Sequence, residues 1–431
     1  MAKVKEQDSN QGLSEETSIE DPPERTCLPY LKGQNNVKVS MWSILKESVG
    51  KEIWKITVPV IFNEPLSVLQ KCAGVTEYID ILDQAIAEPD EMKRFALVAL
   101  QFATQYQNVE RSGLSKPFNP MLGETFEYVV PGKYKYLAEQ VSHHPPITAF
   151  VVLGDSGFVK YSTFQTKTSF GMGSICFTNI HNEYLELEKT EELFEWFPPT
   201  LGIHGLISGK PYIDLEGQGV VKDLSKPDEK YAVVKFYKRG WTSSSHQKVE
   251  IDVYESKDQK PVFRLEGKWS GEIQLKDLRK PHSKFEVIWK KAPYPENWQH
   301  QYGMTYHSIQ LNYLPKQLKP FLPPTDTRLR PDQRALENGE FALAAREKNR
   351  LEEKQRAVKK YMEKEGITHQ PKYFNQWLPR SSIMEDEQGN ILYQYKYNGL
   401  YFEHDRLKQD WSGLPDLFGE SLPEEVAKAL Q

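Results

Sequence analysis

Cysteine is scarce in this chain. Three occur in 431 residues (Cys27, Cys72 and Cys176), with no Cys-x-x-Cys pair. An odd, scattered set excludes a disulfide framework and a thiolate zinc centre, and it fits a reducing compartment. Long apolar runs are missing as well: none approaches the ~18 residues a membrane span needs. The first residues are polar, which predicts no signal peptide. Alanine at position 2 and the Ala-Leu-Gln ending predict no lipid anchor. There is no excess of positive charge: the formal net charge is −5 and the pI about 6.1. A general polyanion binder is thereby excluded, and any anion site must be local. No internal repeat is visible. Two enzyme-like strings lack partners. Gly154-Asp155-Ser156-Gly157 echoes a protease nucleophile segment but reads as a hairpin turn, with no suitably placed histidine. Gly171-Met172-Gly173 is too short for a dinucleotide loop. The expectation is a protein that is not an enzyme and holds no cofactor and no metal.

Hydrophobic residues make up 39% of the chain, enough for a large core. Residues 1–24 are polar and acidic and read as a disordered tail. Thr26 to Leu31 is a short apolar patch, readable either as a packed loop or as a lid. Ser40–Gly50 and Ser67 to about Arg111 show helical spacing, interrupted at Val58-Pro59-Val60. From Thr125 to about Trp289, short β-branched and aromatic runs alternate with Gly, Pro, Asp and Asn, which predicts a sheet meander closed as a sandwich or barrel. Helix returns from Pro331 to about Lys364, with a break at Asn338-Gly339 and a stop at Gly366. The last stretch is rich in aromatics, from Trp377 to Phe418, and is expected to dock on the body.

Three places carry candidate chemistry. Glu139-Gln140-Val141-Ser142-His143-His144-Pro145-Pro146 ends an extended run with paired histidines. Neighbouring side chains of a strand face opposite ways, so His143 and His144 meet one ligand only if the chain bends there. The prolines favour that stop. A satisfied structural pair or a zinc site are the alternatives, and no further ligand pattern supports zinc. Lys116-Pro117-Phe118-Asn119-Pro120 holds an ammonium and an amide three residues apart, suited to phosphate, or is a plain connector. Lys348, Glu352 and Arg356 share one helix face, which is either a solvated ion-pair ladder or a binding face.

The eight-residue histidine block resembles the signature of the oxysterol-binding-protein-related family of lipid exchangers, EQVSHHPP, and matches it throughout. Further similarity covers about residues 25–415. It includes Leu28-Pro29, Trp42 to Lys46, Phe62 to Leu66, Lys116 to Pro120, Leu122 to Thr125, Gly267-Lys268-Trp269, Pro323 to Asp332, and Lys348 to Arg356. The resemblance implies that the headgroup of phosphatidylinositol 4-phosphate is held by Lys116, Asn119, His143, His144, Lys348, Glu352 and Arg356. In the bound state Glu352 orients Lys348 and Arg356 or accepts from inositol hydroxyls, and phosphate favours protonated histidine. It also implies an N-terminal lid around Leu28, Pro29 and Tyr30, and a tunnel for a second lipid to which Gln105 and Tyr106 belong.

The fold implied is α+β: a large, mostly antiparallel β-barrel enclosing a hydrophobic lipid tunnel. The expected divisions are a tail (1–24), a lid (25–39), a helical layer (40–117), the barrel (118–300), a C-terminal helical subdomain (301–415) and a C-terminal tail (416–431). The chain leaves no room for a pleckstrin-homology domain, and Phe102-Ala103-Thr104 reads as core helix rather than an ER-receptor motif. The function implied is a cytosolic lipid-transfer protein, peripheral to organelle membranes and their contact sites. It exchanges phosphatidylinositol 4-phosphate for a second lipid, a sterol or alternatively phosphatidylserine. A phosphoinositide-dependent sensor or scaffold without net transfer is the other reading. Nucleic acid is not an expected partner.

Overall fold

Strand Lys248–Tyr254 shows how the sheet is specified. Val249, Ile251 and Val253 are fully buried, while Lys248, Glu250 and Asp252 face the other way. Period-two alternation puts one row of side chains in the core and the other towards solvent. The computed structural model describes residues 24–32, 58–112, 114–226, 229–255, 260–379, 384–385 and 388–429. The expected helix over 40–50 and nearly all of the expected 1–24 tail lie outside the described residues.

A fifteen-stranded sheet dominates. Its path runs in chain order from Thr125–Val130 through Tyr134–His143, Pro146–Gly154, Phe158–Phe164, Glu183–Leu187, Glu192–Trp196, Tyr212–Asp223, Tyr231–Phe236, Lys248–Tyr254, Phe263–Lys268 and Glu272–Asp277 to Glu286–Lys290. Every neighbouring pair on this path is antiparallel. Three further strands, Thr166–Gly171, Ser174–Asn179 and Thr200–His204, form a flap that joins the sheet at Tyr212–Asp223.

The sheet curls around one helix, Glu91–Thr104. Asp90 caps it, its carboxylate accepting from the amides of Met92 (3.0 Å) and Lys93 (3.2 Å). Every residue from Phe95 to Thr104 is buried, because strands lie on more than one side. Phe95 stacks on Phe194 (5.4 Å between centroids) and Phe102 lies 5.9 Å from Trp196. The same helix meets the strands between Tyr231 and Lys268. The second and the last strands of this path are bridged by residues 73–79. Tyr134 donates to Thr76 Oγ1 (3.1 Å), while Tyr78 packs edge-on against Trp289 (5.1 Å) and accepts from the Ala292 amide (2.9 Å).

Some local expectations shift. Ser67, where helical spacing was expected to begin, closes a short strand, Asn63–Ser67, that pairs in parallel with Lys116–Phe118, and helix follows from Val68. The C-terminal part is not wholly helical. Helices Pro331–Glu337 and Phe341–Glu365 are followed by an antiparallel pair, Phe374–Trp377 with Gln394–Tyr397. Aromatics of this pair and its flanks bury against the outer face of the sheet, Tyr373, Phe374, Tyr395 and Tyr401 clustering with Leu137, Val151, Tyr161 and Tyr184. The histidine strand is therefore covered on both faces and reads as nearly continuous burial. Of the stretch expected as a C-terminal tail, Leu417 and Phe418 pack on Leu351. Helix Phe341–Glu365 ends where Gly366 takes a left-handed conformation (φ +65°), which glycine accommodates without strain.

Candidate functional site

Three distant segments meet around one cavity of about 280 Å³, lined by Lys116, Asn119, His143, His144, Lys348, Glu352 and Arg356 among others. The seven residues named as headgroup candidates from sequence are thus brought together. Each is placed by a different device. Lys116 rides on the parallel pairing with Asn63, whose side-chain amide donates to the Lys116 carbonyl (3.0 Å). Phe118, two residues on, is buried among Val60, Leu336 and Ala344 and anchors the segment. Asn119 is fixed through its carbonyl, which accepts from Arg330 Nη1 (2.9 Å). Arg330 is itself buried and held by Glu124 (2.9 Å) and Asp332 (2.9 Å).

The histidines sit where the chain turns. Strand Tyr134–His143 ends at the first and its partner begins at Pro146. A register shift between Gln140 and Ser142 re-aims the strand end. The rings pack edge-on, 4.7 Å apart. His143 Nδ1 lies 3.1 Å from the Pro120 carbonyl. A carbonyl only accepts, so Nδ1 carries the proton and Nε2 is the free nitrogen of the ring.

The third wall is one face of helix Phe341–Glu365. Lys348 Nζ donates to Glu352 (2.8 Å) and to the Val58 carbonyl (3.3 Å). Glu352 does not hold Arg356 in the same way: the guanidinium bonds Glu353. Arg356 is an exposed side chain, one turn beyond the adjacent carboxylates of Glu352 and Glu353. On the back of the helix, Lys354 donates to the carbonyls of Asp416 (2.8 Å) and Gly419 (2.9 Å), so this lysine belongs to the scaffold.

Burial and neighbouring charge set the electrostatics of the cavity. Burial first, then the neighbouring Lys348 ammonium, lowers Lys116 to about 8, against a pull upward from Glu352. Burial lowers His143 to about 4, helped by His144, Lys359 and Arg330 and opposed by the Pro120 carbonyl. In the ligand-free protein His143 is therefore neutral at pH 7; the protonated ring expected from sequence belongs to a phosphate-bound state. An ammonium or an imidazole that is buried beside other cations loses proton affinity, because its charged form is both desolvated and repelled.

A model of the oxysterol-binding protein family matches residues 40–406. The chain belongs to that family. It is 36% identical over 95% of its length to oxysterol-binding protein homolog 1 of Saccharomyces cerevisiae, covering 35% of that protein. It is 35% identical over 84% of its length to oxysterol-binding protein-related protein 3 of Mus musculus, covering 42% of it. The chain thus spans well under half of these relatives. Among solved structures it resembles the Osh1 ORD domain in complex with cholesterol: TM-score 0.82, 31% identity, 93% of this chain and 95% of that one. It also resembles the Osh3 ORD of S. cerevisiae in complex with PI(4)P: TM-score 0.76, 30% identity, 91% and 99% covered.

In this family member, Leu28 is buried in the main core cluster and its amide donates to Gln301 (2.8 Å). Tyr30 packs edge-on against Phe341 (5.5 Å). Arg25 clamps the segment from the other side, donating to the Ile309 carbonyl (2.7 Å). Gln105 and Tyr106 lie inside the curl of the sheet, away from the histidine cavity. Gln105 donates to Glu183 (2.8 Å) and to the Tyr106 hydroxyl (3.0 Å), which also accepts from Trp196 (3.2 Å). Buried Lys160 completes this polar island, donating to Gln101 (3.0 Å) and lying 3.3 Å from Glu183.

Sequence reasoning missed several lining residues: Asn63, Arg330, Gln355 and Lys359. Lys359 was findable, since it follows Arg356 by three on the same helix face. Asn63 and Arg330 act through partners far away in sequence, and no local pattern announces that. Among the described residues no cluster of His, Cys, Asp or Glu is arranged to hold a metal ion.

Proposed function

We propose that this chain binds phosphatidylinositol 4-phosphate in the histidine cavity and exchanges it for a second lipid between membranes. The observation that carries the reading is the convergence of Lys116, Asn119, His143, His144, Lys348, Glu352 and Arg356 on one cavity from segments over 200 residues apart. Lys116, Lys348 and Arg356 supply charge for the 4-phosphate, the histidines add ring nitrogens, and Glu352 and Asn119 suit inositol hydroxyls. Similarity to a PI(4)P complex supports this assignment. The second lipid is a sterol. Similarity to cholesterol and ergosterol complexes supports that choice, and the Gln105–Tyr106–Trp196 island inside the sheet offers a polar end for a hydroxyl. Phosphatidylserine is the alternative cargo. The 24–32 segment acts as lid, and the protein works from the cytosol as a transient visitor to membranes. No covalent step belongs to this reading.

The test is lipid extraction from vesicles by wild type and by His143→Ala/His144→Ala. Charge-assisted hydrogen bonds are worth roughly 1.5–3 kcal/mol each. Phosphoinositide extraction should fall by orders of magnitude while sterol uptake holds. Wild-type levels of extraction by the double mutant would remove the histidines from the site. Binding to phosphoinositide vesicles without stoichiometric extraction would favour a sensor or scaffold.

A further inference from the structure

Among the described residues the two most exposed large apolar side chains are Trp241 and Met172, and both sit on turns, as does the exposed Ile207. Trp241 is 105% exposed, Met172 97% and Ile207 59%. The strand registers place these turns together. Met172 tips the hairpin between Thr166–Gly171 and Ser174–Asn179. Ile203 of the next strand pairs with Ile175, directly below that tip, so the chain after His204 emerges beside it. Ile207 lies over Gly173, where an added Cβ would meet its side chain at 3.1 Å. His204 pairs in turn with Tyr212. Arg239, two residues before Trp241, stacks on the Tyr212 ring (4.3 Å) and donates its amide to Asp214 (2.8 Å).

The same registers fix which end of the sheet this is. Gln140, just before the histidines, pairs with Thr148, and Thr148 pairs with Phe164. The chain then runs past that end into the flap. The turns thus project from the end of the sheet that carries the His143–Pro146 turn.

Charge follows the apolar residues. The segments 171–174, 205–211 and 237–247 contain Lys210, Lys238 and Arg239 and no aspartate or glutamate, in a chain of net charge −5. The nearby acids are turned inward: Asp214 is buried, and Glu216 pairs with His204 (2.8 Å) and Lys238 (2.8 Å).

We propose that these three turns form a docking surface for an anionic lipid bilayer. Met172, Ile207 and Trp241 enter the interfacial region, with Lys210, Lys238 and Arg239 against lipid phosphates. Single apolar side chains on separate turn tips, ringed by cations, fit a soft interface better than the flat, continuous patch a protein partner needs. Tryptophan favours the headgroup level, and each basic residue gains from a negative leaflet. The inference stands without the headgroup reading.

Flotation with vesicles free of phosphoinositide separates the two. Full-length protein is mixed with phosphatidylcholine vesicles, with and without phosphatidylserine. Wild type should float with the phosphatidylserine vesicles, less so at high salt. Met172→Ser/Ile207→Ser/Trp241→Ser should lower the bound fraction about ten-fold. Lys210→Glu/Lys238→Glu should erase the preference for phosphatidylserine. Both variants should take up a water-soluble short-chain phosphoinositide as wild type does. Brominated acyl chains should quench wild-type tryptophan emission more than that of Trp241→Phe. Equal flotation of wild type and the triple variant overturns the proposal, and so does a triple variant that loses soluble-lipid uptake. Vesicle binding that is unaffected while capture of a protein is lost would assign the surface to a protein instead. If wild type floats as expected but takes up no phosphoinositide, the headgroup reading fails and this one stands.

Discussion

At the residue scale, His143 carries the sharpest consequence. Its Nδ1–H is committed to the Pro120 carbonyl, so Nε2 can donate to phosphate only after taking a proton. In the free protein that proton binds only near pH 4; a phosphate beside the ring raises this value. Between the two values, ligand binding takes up one proton, and affinity climbs as pH falls through the bound-state value and levels off near 4. Calorimetry in buffers of different ionisation enthalpy measures that uptake, and zero uptake would mean the phosphate's own hydroxyl donates to Nε2. The ligand-free fold shows the opposite trend. From pH 6.5 down to about 4 the unfolded chain binds this proton and the native state does not, so His143 subtracts stability as the solution acidifies.

At the scale of elements, the junction between helices Pro331–Glu337 and Phe341–Glu365 links the cavity-lining helix face to the segment 24–32 proposed as lid. Gly339 has φ +80°, and a Cβ there would lie 2.5 Å from the Tyr30 ring. Gly339→Ala therefore combines backbone strain with a clash against the segment 24–32. Strain of this kind costs about 1 kcal/mol before the clash is added. The expected result is faster lipid release, read from dissociation of a fluorescent lipid, with only a modest drop in melting temperature. Gly366→Ala is the matched control: φ is +65° but nothing lies within 4 Å of the added atom. It should cost similar strain and leave release unchanged. If both variants release lipid at the wild-type rate, the segment is a packed loop and no gate.

At the scale of the whole molecule, the cavity is a meeting of segments far apart in the chain. Lys116 hangs from the Asn63 strand, Lys348 from a late helix, and in the free protein their charges oppose each other. An anion between them converts repulsion into shared attraction. Lys116→Ala and Lys348→Ala should each weaken phosphoinositide binding about ten-fold or more. The double variant should lose less than the product of the two, with a coupling of roughly 0.5–3 kcal/mol. Additive losses would place the two lysines on different groups of the ligand.

Much of this was legible in the chain. Alternating β-branched and aromatic runs announced the sheet, because a pleated half-buried strand has period two. The break at Asn338-Gly339 and the stop at Gly366 announced the two late helices, because only glycine enters the left-handed region cheaply. The histidine block, the Lys116 segment and the Lys348 face were identified as candidates because each keeps its chemistry within a few residues. Where those three meet was not legible, since spacing along a chain says nothing of distance across a fold. The strand Asn63–Ser67 escaped notice because its single partner lies some 50 residues away and pairs in parallel. Arg330 gave no sign of its role, because its task of holding the Asn119 carbonyl exists only once Glu124 and Asp332 surround it. The sequence by itself determined which side chains could serve an anion and which segments would be strand or helix, since those follow from local stereochemistry and charge. Only the tertiary structure decided that Lys116 lies buried beside the Lys348 ammonium, its own proton affinity lowered, and that Trp241, Met172 and Ile207 project from one end of the sheet. Burial and long-range register are properties of the packed chain alone.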